Sequence, residues 1–304
     1  MSPHGDMLNT TMRDKNRLAT SLLFLSVTSA VAALSPSAFA QDPPVPPFSR
    51  VTVSSDAVAR INPLGLALQT SGSYRHVSGY DTKGGYETSY QQAGASLMLT
   101  PAYAQPSVEV EWLPVAFAAV RVQYAAQLFM GANRGLLRFP SATSAFGEAQ
   151  LKDKTGSERS KLAHRVLIQP LMRAKLGPVV LRNQTDLAIY RYGDDGPYLY
   201  ESEYDTLLAP HDLVIANRTQ VMLSLWRGQG EAMLLAGPFY EVVHARDAEL
   251  TRQRVGAAVF CTFAEHWIGL RRPRAYGMSG VNASDPNRQG QGFLMLGLGA
   301  DLDF

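Results

Sequence analysis

Three features of the sequence point to one fold class, an all-β, antiparallel, up-and-down transmembrane β-barrel. The N-terminal segment reads as an export signal, segment after segment alternates apolar and polar residues, and the stretch from Phe293 to Phe304 keeps that alternation to its last position. Ten strands are expected, with eight or twelve as alternatives, because a barrel whose two ends lie on the same side needs an even number.

Residues 1–40 have the three parts of a cleavable signal peptide. Arg13, Lys15 and Arg17 form a basic region, Leu18 to Leu34 is apolar, and Ala38-Phe39-Ala40 precedes Gln41. Met1, Met7 and Met12 are alternative starts. No cysteine follows the apolar run, so a lipid-anchored export route lacks its attachment residue. Cys261 is the only cysteine, which rules out an internal disulfide, and it falls on the apolar parity of its segment. Basic and acidic side chains nearly balance, 28 against 26, and nothing calls for nucleic acid. Beyond residue 40 no stretch approaches the ~20 apolar residues of a membrane helix.

Gln41 to Phe48 is too rich in proline to join a regular ladder, and 41–62 is expected to be a periplasmic leader, with 49–62 lacking clear periodicity. The barrel is then expected over 63–304. Its first strand, Leu64 to Val77, sets Leu64, Leu66 and Leu68 against Gln69, Ser73 and Arg75, and Ser78 to Gly85 is a polar loop. One long strand region is expected from Tyr90 to Trp112, broken at Pro101 and Pro106, followed by a turn at Leu113 to Ala116. Ala119 to Phe129 sets Val120, Val122, Tyr124 and Leu128 against Arg121, Gln123 and Gln127.

Met130 to Leu162 is long and irregular, which suits an extracellular barrel loop and not a compact soluble domain. His164 to Leu176 and Val179 to Tyr192 form the next pair across Gly177-Pro178. Gly193 to Asp212, acidic and rich in tyrosine, is read as a second long loop with room for a short hairpin. Leu213 to Leu225, Glu231 to His244, Thr251 to Phe263 and Trp267 to Met278 complete the wall up to the loop Asn282 to Gly290. In the final stretch Leu294, Leu296, Leu298, Leu302 and Phe304 share one face. Asp301, Asp303, Gly297 and Gly299 share the other.

A charge on the lipid face costs about 2 to 4 kcal/mol at the midplane, so the polar parity must face inward. That parity carries Glu109, Glu111, Arg121, Arg165, Arg173, Lys175, Arg182, Asp186, Arg218, Glu231, Glu241, Arg252, Arg254 and Asp301. In a narrow barrel such side chains meet across the middle and pair. A plugged lumen is therefore expected first and a thin basic pore second.

The closing segment resembles the C-terminal strand of Gram-negative outer-membrane β-barrel proteins. In that class a terminal aromatic, here Phe304 with Leu298 and Leu302 on its face, closes the barrel and is read by the assembly machinery. The resemblance implies residence in the cell outer membrane, contact with its lipid and lipopolysaccharide, and pairing of the last strand with the first, Leu64 to Val77. It covers the signal and most of the mature chain, and is one of class, with no family's functional residues to transfer.

Three functions fit: a structural or small-solute barrel, an outer-rim hydrolase, and a surface-contact barrel. The hydrolase would draw on His76, His211 or His244 with Ser202 and the acids Asp194, Asp195, Glu201, Glu203 and Asp205, but no serine lies in a strained glycine-flanked elbow. His164 falls on the lipid-facing parity. The contact surface would be the tyrosines Tyr192, Tyr198, Tyr200 and Tyr204 among those acids. No cofactor is implied, and no His or Cys cluster has metal-ligand spacing.

Overall fold

A computed structural model describes residues 45–82, 86–193, 196–228, 232–263 and 271–304. The expected signal peptide lies outside them, as do Asp194, Asp195, Glu231 and Trp267. Twelve strands form the wall: β1 (Phe48–Ile61), β2 (Gly65–Asp81), β3 (Tyr86–Leu99), β4 (Tyr103–Val115), β5 (Ala118–Met130), β7 (Ser160–Leu176), β8 (Val179–Arg191), β11 (His211–Arg227), β12 (Met233–Ala245), β13 (Leu250–Thr262), β14 (Arg271–Ser284) and β15 (Gly292–Asp303). Neighbours pair antiparallel all the way round, and β15 closes on β1. Three short strands, β6 (Arg138–Phe139), β9 (Tyr198–Glu201) and β10 (Thr206–Leu208), make a separate sheet in the order β10-β9-β6, and one helix, α1, spans Glu148–Asp153.

The wall therefore has two strands more than the expected ten, for two identifiable reasons. Residues 48–61, placed with the leader by sequence, are β1, and the barrel begins there and not at 63. The expected single region from Tyr90 to Trp112 is a hairpin. Thr100 Oγ1 accepts the Ala102 and Tyr103 N–H groups at 3.2 and 3.0 Å, closing a turn of three residues between β3 and β4. Across that turn the outward parity switches from odd (Leu97, Leu99) to even (Val108, Val110, Trp112), all of them exposed.

Closure also differs from expectation. β15 pairs with β1, not with Leu64 to Val77, in the register Ser54↔Asp301, Asp56↔Gly299 and Ala57↔Leu298. The ladder ends with Val51 and Phe304 exchanging backbone bonds of 3.1 and 2.8 Å. The inward glycines of β15 have a definite purpose. A Cβ on Gly297 would stand 2.2 Å from the Tyr276 ring, and one on Gly299 would stand 2.1 Å from Asp56 Oδ1. Both positions must be bare for β1 and β14 to lay large side chains across the closing strand.

The strand ends Asp81 and Tyr86, Val115 and Ala118, Leu176 and Val179, Arg227 and Met233, and Thr262 and Arg271 lie at one end, each pair close in sequence, and Phe48 and Phe304 lie at this end. The long segments 131–159 and 196–210 lie at the other, together with the tight turns 62–64 and 100–102. Outward-facing leucines and valines stay exposed around the barrel, Leu66 and Leu298 among them. Near the short-turn end Trp112, Phe117 and Trp226 are exposed aromatics. No helix among the described residues is long and apolar enough to cross a membrane.

Candidate functional site

The inward parity makes the lumen, and the lumen is where the charges meet. Toward the long-loop end it takes in the segment 196–210. Instead of standing out in solvent, β9 and β10 fold back into the barrel mouth, and Leu199, Tyr204 and Leu208 pack against the inward wall residues Ala163, Leu167, Ala188, Val214 and Val243. Above this plug, Leu137, Phe139, Phe146, Leu151, Tyr200 and Leu207 form a second small core that joins β6 and α1 to the hairpin. Tyr192, Tyr200 and Tyr204 are thus buried, which overturns their reading as a contact surface.

At the turn between β9 and β10 the Asp205 side chain is fully buried. Its Oδ2 lies 3.4 Å from Arg252 Nη1, 3.3 Å from Arg254 Nη2 and 3.0 Å from Arg288 Nε, and Tyr200 Oη donates to Oδ1 at 2.8 Å. Burial pushes its carboxyl up, but the three guanidiniums outweigh burial and hold it below the usual carboxylate range. Nearby, Arg165 pairs with Glu203, Arg60 donates to the Glu203 carbonyl at 3.2 Å, and Tyr204 Oη donates to Asp186 Oδ2 at 3.2 Å. Each is a bond from the wall to the hairpin, so the hairpin is latched as well as packed.

Glu201, on β9, is held differently. It accepts the Glu203 N–H at 3.0 Å and the Tyr204 N–H at 2.6 Å. Burial, with the Glu203 charge beside it, still pushes its carboxyl up to about 7.

The other predicted residues line the wall. Glu241 bonds Arg218 Nε at 2.9 Å and Arg252 Nη2 at 3.1 Å, so it links the plug latch to β11. Glu111 bonds Arg121 Nε at 2.7 Å and accepts from Tyr90 Oη, and Glu109 accepts from Gln123 at 3.2 Å. Asp186 is held by Gln169 at 2.7 Å and Gln184 at 3.1 Å. Asp301 pairs with Arg274 at 2.7 Å rather than with any side chain of β2. Arg173, Lys175 and Arg182 lie toward the short-turn end and stay open to water, and Glu231 lies outside the described residues. Sequence parity did not single out Asp56, Arg60, Arg274 or Arg288. The first two lie in the strand read as leader, and Arg288 is in a loop.

Among the described residues none of His76, His211 and His244 bonds Ser202 or the acids named with it. His76 Nδ1 lies 3.0 Å from Ser49 Oγ, which also accepts Tyr74 Oη at 2.9 Å. This group sits on the outward face at the short-turn end, and among the described residues no carboxylate bonds the ring. His244 bonds Thr251 at 2.9 Å and His164 bonds Tyr124 at 2.7 Å, both on the outward parity. Ser202, Glu203 and Asp205 belong to the plug. No three His, Cys, Asp or Glu side chains among the described residues converge as metal ligands.

No family model matches the sequence, and no curated protein does. Solved structures similar in fold are outer-membrane β-barrels. An outer-membrane channel from Pseudomonas putida F1 is 10% identical with a TM-score of 0.40, over 89% of this chain and 100% of that one. The translocator domain of the autotransporter NalP from Neisseria meningitidis is 11% identical with a TM-score of 0.37, over 96% and 98%. The β domain of the Bordetella autotransporter BrkA is 8% identical with a TM-score of 0.36, over 84% and 99%. Neighbours this distant assign no role to any residue here, and what the chain is similar to is a class of barrel.

Proposed function

We propose that the protein is an outer-membrane β-barrel whose lumen is closed by the hairpin 198–208, and that it serves as a structural barrel or as a passage for small solutes when the hairpin withdraws. The apolar exterior supports membrane residence, because water leaves no reason for so extensive a band of exposed leucine and valine. Outer-membrane lipid and lipopolysaccharide then cover the wall, the assembly machinery inserts it, and the long segments face outward from the cell. The observation that carries the closed state is Asp205, a buried carboxylate reaching three arginines from the turn of a hairpin. A wall built only for stability has no need to draw a loop into its bore.

Planar-bilayer recording of the refolded mature chain tests this reading. The wild type is expected to be nearly silent. Asp205→Ala, or excision of 198–208, is expected to open a steady conductance that Arg121→Ala or Arg218→Ala then alters. A wild type that conducts steadily contradicts the plug. A folded excision variant that stays silent removes the passage role and leaves only the structural one.

A further inference from the structure

Below the hairpin, toward the short-turn end, two inward arginines of β7 and β8 lack, among the described residues, the carboxylate partners that Arg50, Arg75 and Arg272 have elsewhere at this end. Arg173 on β7 and Arg182 on β8 stand directly opposite each other in the ladder. Like charges facing across two strands repel and destabilise the pair. Neither has a carboxylate within ion-pair distance among the described residues. Arg182 Nη2 donates to Gln184 Oε1 at 2.7 Å, and Arg173 Nε donates to the Ala116 carbonyl at 3.1 Å. Arg218 on β11 stands opposite Gln184, the next inward residue of β8 after Arg182, and Arg121 on β5 stands opposite Gln169 of β7.

The carboxylates of this region are otherwise engaged. Glu111 is taken by Arg121 and Glu241 by Arg218, while Gln169, Gln184 and Tyr204 hold Asp186. The two paired arginines are not used up by their partners, since 37% of the Arg121 side chain and 38% of the Arg218 side chain remain accessible to water. Four guanidiniums thus face one stretch of bore from β5, β7, β8 and β11. They present planar forked donors of the kind that grips oxyanions bidentately.

We infer that this chamber is a binding site for small multivalent oxyanions, phosphate and di- or tricarboxylates being the chemical class, with Arg173 and Arg182 as its principal ligands and Arg121 and Arg218 at its edge. An anion between Arg173 and Arg182 turns their mutual repulsion into two attractions. The inference rests on the barrel and on its inward parity. It does not require the hairpin to move, because the chamber lies on the short-turn side of the plug.

Isothermal titration calorimetry on the refolded mature chain in a zwitterionic detergent tests it, with inorganic phosphate and citrate as probes and chloride holding ionic strength constant. Lipid headgroups are absent from that sample, so any heat belongs to the dissolved anion. Saturable binding is expected in the wild type. It is expected to weaken about tenfold in Arg182→Gln and again in Arg173→Gln, the loss of one charge-assisted contact each, and to stay unchanged in Lys154→Gln, just after α1. Heat-modifiable mobility on gels confirms that each variant is folded. Absence of saturable binding in the wild type, or equal affinity in Arg182→Gln, overturns the site. Either result leaves the bilayer test of the plug untouched, and a silent excision variant that still binds citrate would fail the passage reading alone.

Discussion

At the scale of single residues, the seam where the barrel closes depends on Arg274. From β14 its guanidinium reaches Asp56 on β1 at 2.6 and 3.0 Å and Asp301 on β15 at 2.7 Å. Close by, Arg272 bonds Asp303, and Asp303 accepts Thr52 Oγ1 at 2.6 Å. Removing Arg274 takes from Asp56 its ion-pair partner and leaves Asp301 only the longer contact to Arg272, at 3.5 Å. Arg274→Ala is expected to destabilise the barrel by about 3 kcal/mol, the lower end for a broken buried pair because these groups keep some contact with water. Asp56→Asn with Asp301→Asn in the same chain should recover much of the loss, since neutral amides no longer need a cation. The midpoint of urea unfolding in vesicles measures both. An unchanged midpoint for Arg274→Ala alone would show that backbone pairing closes the seam without this staple.

At the scale of elements, the hairpin 198–208 is expected to respond to pH through Glu201. The groups that face this carboxyl are Glu203, Arg165 and the tyrosines Tyr103, Tyr190, Tyr192 and Tyr204. Its pKa in the docked hairpin is raised to about 7, so the docked state binds a proton that a released hairpin gives up near the ordinary carboxyl range. Stability of docking therefore falls as pH rises from that range and has lost its full increment above the raised value. Asp205 works in the opposite sense. Its carboxyl is held low by arginines, so its contribution is present above the ordinary range and lost in acid. Docking is expected to be tightest in mildly acidic solution. Between about pH 5 and about pH 8 the Glu201 effect is of the order of 3 kcal/mol. Hydrogen exchange over 198–208, compared at those two values, is the measurement. Protection should fall at the higher pH in the wild type and should not in Glu201→Gln. Equal protection at both pH values in the wild type would remove the switch.

The same elements show which parts were legible from sequence. The parity of β4, β5, β7 and β8 could be read because Val, Leu and Ile alternate there with Arg, Gln and Glu, and the lumen residues on those strands follow from it. In β1 the outward row is Val51, Val53, Ser55, Ala57, Ala59 and Ile61, and the inward row includes Val58. Small residues on one face and an apolar one on the other erase the contrast on which a period-two reading depends. The β3-β4 turn was hidden because only three residues separate the strands. The stretch read as the second long loop has a loop's composition, but that its hairpin 198–208 turns inward depends on Arg252, Arg254 and Arg288. These lie tens of residues away in the chain, and no local pattern announces the meeting.

At the scale of the whole molecule, the deciding matter is what solvent the outer wall meets. In water an exposed leucine changed to arginine alters stability by no more than about 0.5 kcal/mol. In a bilayer the same change costs about 2 to 4 kcal/mol at the midplane and about 0 to 1 near the interface. Leu298 lies halfway along β15 opposite Ala57 and Ala275, 65% exposed, whereas Leu64 sits in the turn between β1 and β2, 73% exposed. Exposure alone ranks Leu64→Arg and Leu298→Arg as equally harmless. Depth in a membrane separates them by about 2 kcal/mol or more, with Leu298→Arg the damaging one. Urea titration of both variants refolded into short-chain phosphatidylcholine vesicles, against the wild type, reads that difference directly. Two near-neutral variants would mean that the wall is not embedded at the level of Leu298. The membrane-spanning reading, and with it the proposal of a plugged outer-membrane bore, would then fail together.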